Sequence, residues 1–249
     1  MATKEKVNTY RTTATVVGIV WLAGFVLAVV GNNLILSILG APNHLSTVSA
    51  HSMQVAIGAI LWLMTVAGDT AHGILMLPIL KQHSERMAFG YLAARIVDAV
   101  FIAIMVLFLL IQIPLGSEYL KATASNTLFL QSLSVVSVQA SQYAYQIGMS
   151  TLGVAGLLLN LMFYRTKLIP RWIAIWGLAG YAIIFCGMLS SILGSGLGDV
   201  SSIPGGLWEV FVGVWLIVKG FSPSAFDSQA TRTSNLAKQL VTSPKPANS

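Results

Sequence analysis

Asp69 and His72 stand three residues apart inside one apolar stretch, and Arg95 and Asp98 repeat that spacing in the next. On a helix, residues three apart share a face. Each pair therefore offers two ionisable groups to one side of an apolar helix. An ion in hydrocarbon costs at least about 2.5–3.5 kcal/mol on insertion scales, so such groups turn inward and seek one another. Two chemistries suit this constellation: relay of a proton or ion, and a polar ligand site. A satisfied ionic network that only pins two helices together would use the same residues. Level along the helices pairs Asp69 with Arg95 or His72, and His72 with Asp98. Asn160 is a further polar group for this depth, and Glu209 reads as a hydrated residue at the outer end of its helix.

Other chemistry finds less support. A metal ion needs ligands within a few ångströms. His44 and His51 fall outside the apolar stretches, His72 lies ~31 Å along a helix from His51, and His83 falls in a loop on the other side. No metal and no cofactor is expected. Cys186, the single cysteine, lies among Ile183, Ile184 and Met188 and reads as a small core residue. The Gly194-x-Gly196-x-Gly198 run mimics a phosphate loop but lacks a following Lys-Ser or Lys-Thr, so it reads as a turn. Gly148, Gly153 and Gly156 suit close helix packing.

The elements that position these residues follow from composition. Of 249 residues, 55% are hydrophobic and 9% charged, against roughly 25% charged in soluble domains. A soluble fold could not clothe its surface with so few charges, whereas a bilayer accepts apolar surface. A span needs ~20 apolar residues. Six stretches qualify: Val16 to Leu39, Met53 to Leu77, Tyr91 to Ile113, Tyr143 to Tyr164, Trp172 to Leu193, and Leu207 to Val218, the last with a start as early as Pro204. The expected fold is an all-α polytopic transmembrane bundle. Its domains are a cytoplasmic segment over 1–14, the bundle over 15–221 and a disordered cytoplasmic tail over 222–249. The stretch from Ser117 to Gln142 interleaves Leu, Val and Phe with Ser, Gln and Asn. It reads as an outer-surface helix or an extension of the fourth span, with a seventh span as the alternative. The apolar run behind Lys4, Lys6 and Arg11 exceeds signal-peptide length, and Val29-Val30-Gly31 is a poor cleavage site, so it reads as a retained first helix.

The net charge is +6. In a soluble protein this would suggest nucleic acid, but here the basic residues cluster between apolar runs, a pattern that sets membrane orientation. No nucleic-acid partner is expected. With six spans, every one of the 14 Lys and Arg residues except Lys121 falls on one side. That side is cytoplasmic by the positive-inside rule, which puts both ends of the chain inside the cytoplasmic membrane. Tyr10, Tyr91, Tyr164, Trp172 and Phe221 fall near the inner boundary and Trp208 near the outer one, as in interfacial aromatic belts. Pro170 after a short basic turn implies a tight antiparallel hairpin between the fourth and fifth spans.

Four stretches carry a family likeness: APNHLSTVSA at 41–50, LPILKQHSERMAFGYLAARIVDAV at 77–100, FYRTKLIPRWIAIWGLAG at 163–180, and WEVFVGVWLIVKGF at 208–221. Together they resemble the bacterial membrane-protein family catalogued as domain of unknown function 4386, over roughly residues 7 to 227. The resemblance implies a multi-pass bundle and no particular activity. It also leads to mostly apolar residues at the positions of Asp69 and His72, so the pair is a departure from the family pattern.

Three functions remain. The first is a small transporter or permease-like protein with its polar site between the second and third spans. The second is a non-catalytic sensory, regulatory or scaffold component that binds another membrane protein or a second copy of itself. A membrane enzyme acting on lipid ranks third. The partner common to all three is the lipid bilayer. No internal repeat of the kind that builds many transporters stands out.

Overall fold

The computed structural model describes residues 2–222, with side chains from Tyr10 onward. The tail beyond Ser222, with Arg232, Lys238 and Lys245, lies outside the described residues. Among those described, the chain is all helix: α1 (Ala2–Leu39), α2 (His44–Ala50), α3 (Ser52–Lys81), α4 (Glu85–Leu110), α5 (Gln112–Lys121), α6 (Ala124–Thr166), α7 (Arg171–Ile192) and α8 (Gly198–Val218). Only Ile111 separates α4 from α5, and the two run as one rod over Glu85–Lys121. Six helices are long and apolar enough to cross a membrane: α1, α3, the α4–α5 rod, α6, α7 and α8. The chain is an integral multi-pass membrane protein.

The spans form a closed ring. Each packs against its neighbours in sequence, and α8 returns to α1. Small residues let the backbones approach. A Cβ added at Gly18 of α1 would lie 2.6 Å from the Gly213 carbonyl of α8, and one at Gly31 would lie 2.9 Å from the Gly58 carbonyl of α3. Gly153 faces the Phe185 backbone and Gly156 lies flat against the Tyr181 ring, so these glycines have the packing role their spacing suggests.

The two ends of the ring differ. At one, Tyr10 donates to Gln82 Oε1 (3.0 Å), Arg11 donates to the Ile217 and Val218 carbonyls (both 2.9 Å), and the Ser222 amide donates to the Leu168 carbonyl (2.8 Å). These bonds gather the start of α1, the α3–α4 turn, the α6–α7 turn and the end of α8, so Arg11, Lys81, Arg86, Arg165, Lys167, Arg171 and Lys219 share this basic end. In the α6–α7 turn, Lys167 takes a left-handed conformation (φ 58°) and Pro170 caps α7, giving the tight hairpin. In the α3–α4 turn, burial pushes the His83 imidazole below its ordinary value of 6.5. At the opposite end α2 packs on α5, and Gln112, Ser134 and His44 form a chain: Ser134 donates to Gln112 Oε1 (2.5 Å), and His44 Nε2 lies 2.8 Å from Ser134 Oγ. His51 Nδ1 lies 3.1 Å from the Thr47 carbonyl.

The 117–142 stretch, expected as an outer-surface helix or an extension of the fourth span, is such an extension from Ala124, within one helix of 43 residues, ~64 Å long, and not a seventh span. Other expectations need correction. The sixth span starts at Gly198 rather than at Leu207 or Pro204. Pro204 remains inside α8, because proline is tolerated in membrane helices packed among neighbours. This moves Trp208 from the outer boundary to the middle of α8, where it is fully buried and donates to the Ile173 carbonyl (2.7 Å). Tyr91 is no boundary anchor either: two turns into α4, it is buried against α3. Cys186 is exposed on the outer face of α7, because its neighbours Ile184 and Met188, not Cys186, point into the bundle.

Candidate functional site

The half of the ring towards the basic end is filled. Met76, Ile79, Leu80, Leu159, Phe163, Ile173, Val212 and Leu216 pack there into one continuous core. The other half packs smaller clusters around Ile35, Ala59, Val106 and Ala144 and around Ile38, Val48 and Val55, and it encloses an open space. A cavity of about 560 Å³ is lined by five of the six spans together with Ile184 of α7. Its walls follow helical stripes: Trp62, Thr65 and Asp69 on α3; Arg95, Asp98, Ile102, Met105 and Leu109 on α4; Asp199, Ser202, Gly206 and Glu209 on α8. Spacings of three and four keep each stripe on one face. Leu39 and Gly40 at the end of α1 and exposed Asp199 at the start of α8 carry the cavity to the end of the bundle opposite the basic one.

The ionisable groups lie at the blind end of this cavity. Asp98 is at the middle of α4, Asp69 is ~4 Å from the middle of α3 and Glu209 ~1.5 Å from the middle of α8. Arg95 bridges two carboxylates: Nη2 donates to Asp69 Oδ1, and Nη1 donates to Asp98 Oδ2 at 3.3 Å. Arg95 Nε has no partner among the described residues. Asp98 is 1% exposed, whereas Asp69 keeps about a quarter of its side chain open to the cavity. Tyr181 donates to Glu209 Oε1 at 2.6 Å, and this carboxylate also lines the cavity.

Four of the expected site residues thus divide. Asp69, Arg95 and Asp98 come together. His72 does not pair with either aspartate: its Nδ1 is hydrogen-bonded to the Tyr91 hydroxyl (2.6 Å), and its ring lies 4.3 Å from that of Trp21. Trp21 in turn meets Trp208 edge-on at 5.3 Å, and Trp208 meets Tyr181 at 5.4 Å. His72, Tyr91, Trp21, Trp208 and Tyr181 form an aromatic floor between the charged cluster and the filled half. Asn160 packs against Gly177 of α7 and donates to the Gly156 carbonyl (2.9 Å), away from the cavity lining. Glu209 is not at the outer end but at the middle of α8, lining the cavity beside the cluster, because α8 starts earlier than its hydropathy suggested. A full-length span drawn from Gly198 to Val218 would have placed Glu209 at mid-membrane.

Among the described residues, no three His, Cys, Asp or Glu side chains come close enough to share a metal ion. The arrangement can hold one ionic triad and one further carboxylate at the bottom of an aromatic-walled well.

No curated protein and no solved structure matches the chain. One family model does, over residues 16–220, from within α1 to just beyond α8. The chain belongs to the family described as Domain of unknown function (DUF4386).

Proposed function

We propose that this chain is a small permease-like transporter of the cytoplasmic membrane, with the described ends of α1 and α8 inside. Its polar site extends beyond the second and third spans to include Glu209 of α8. The single observation that carries this reading is a well that enters from one end and stops at mid-membrane on ionisable groups, above a filled half. A transporter whose site faces one side at a time has this form. Charged residues at membrane depth are costly and mark substrate or ion routes when they line a cavity. The segregation of basic residues to the closed end supports an outward-facing well.

Purified protein in liposomes, tested for flux over a panel of inorganic ions and lipophilic organic ions, is the direct test. Flux should appear and should fall when Asp69 is changed to Asn. Flux indistinguishable from empty liposomes across the panel, or flux indifferent to Asp69→Asn, would overturn the reading. The filled half favours a second reading, in which the well receives a ligand and passes the signal to a membrane partner or a second copy. Ligand binding without flux would decide for it.

A further inference from the structure

We propose that the well takes a lipophilic organic cation, with its cationic centre on Glu209. The proposal rests on the reading of the well as a ligand site and names what enters it.

At the blind end three carboxylates face one guanidinium. Arg95 is shared between Asp69 and Asp98, and each takes one of its nitrogens. Glu209 accepts the neutral Tyr181 hydroxyl, and no ion pair reaches it among the described residues. It is the deep carboxylate with no cation in direct contact, and it faces the open space. Placing a cation against it removes the cost of an uncompensated charge at mid-membrane.

The walls fit an organic cation better than a bare ion. The volume of about 560 Å³ lies in the range of small-molecule sites. Trp21, Phe25, Trp62 and Tyr145 present ring surface to the cavity, and aromatic faces attract ammonium groups.

Equilibrium binding to purified protein, corrected for partition into empty micelles, tests this without requiring flux. The probes are tetraphenylphosphonium and tetraphenylborate, ions of one shape and opposite charge. Tetraphenylphosphonium should bind at least tenfold tighter, and Glu209→Gln should erase most of that preference. The glutamine carbonyl still accepts the Tyr181 bond, so the fold is expected to persist. If that variant does not fold, the comparison on the unchanged protein still decides. Equal affinity for the two tetraphenyl ions, or cation affinity unmoved by Glu209→Gln, would overturn the cation site. Cation binding without flux would sink transport and leave this site standing. Flux of some other ion class with no cation binding would do the reverse.

Discussion

Removal of Arg95 is the sharpest perturbation of the cluster. Its Nη1 lies 3.3 Å from Asp98 Oδ2, a separation at which the attraction is ~5 kcal/mol for an effective dielectric of 20. A second contact of the same kind reaches Asp69. Desolvation of three ions cancels most of this, so the net value of the triad is small. Breaking it from one side is a different matter. Arg95→Met leaves two carboxylates facing each other and Glu209 with no cation among them, a state that costs about 3–5 kcal/mol. That is a shift of roughly 10²–10⁴ in the unfolding equilibrium. Asp98 is the costlier orphan, since it is 1% exposed while Asp69 opens to the cavity. Arg95→Met with Asp98→Asn should therefore recover at least ~1–2 kcal/mol, and more than Arg95→Met with Asp69→Asn does. Reversible unfolding in mixed detergent micelles measures all four proteins. A single variant as stable as the parent, or double variants no better than the single, would refute the argument that these charges hold one another.

A reporter active only in the cytoplasm should work when fused after Ser222 and fail in the turn near Ser195; activity at both sites, or the reverse pattern, would overturn the orientation. With Cys186 changed to Ala, cysteines at Ser125 and Ser132, both exposed in the projecting part of α6, should react with an impermeant thiol reagent from outside, and protection of both would contradict that projection. Gly156→Ala would drive a methyl group into the Tyr181 ring, which is buried and tied to Glu209, so thermal stability should fall by about 1–3 kcal/mol, well beyond the effect of Gly148→Ala, whose nearest neighbours stand 3.2 Å away. Burial favours neutral His83, so its contribution is complete above the unfolded value of 6.5 and fades as pH falls below it; His83→Gln should show a smaller loss of melting temperature between pH 7.5 and 5.5 than the parent, and an equal loss would refute the assignment.

The ring of spans was legible because hydrocarbon imposes a length and a composition, and basic residues impose an alternation. The triad of Asp69, Arg95 and Asp98 was legible for a related reason: ions at one depth on adjacent helices have few other partners. Depth, however, says nothing about which way a side chain turns around its helix axis. His72 stands at the right level for Asp98 yet turns towards Tyr91 and Trp21. Glu209 was misplaced because Ser201, Ser202, Pro204, Gly205 and Gly206 lower the hydropathy of a stretch that is nevertheless helical and packed. The same glycines admit Ile184 of α7 and Phe25 of α1 at close range, which is why the helix tolerates them. The cavity itself left no mark in composition. Ile102, Met105 and Leu109 that line it are the same residue types as those that face lipid. Only the fit of six helices decides that this stripe borders empty space.

The half-hollow, half-filled ring also shapes the electric field. Were the well filled with electrolyte, as the proposed function requires, it would carry the potential of its own side down to Glu209, and the membrane voltage would drop almost wholly across the filled half. One elementary charge crossing the full drop exchanges about 2.3 kcal/mol per 100 mV. A cation arriving at Glu209 from the mouth would cross almost none of it. The same cation passing the floor of Trp21, His72 and Trp208 would cross nearly all of it, over about half the usual thickness. Loading at this site should then be indifferent to membrane potential, and the step through the floor should carry the entire voltage dependence.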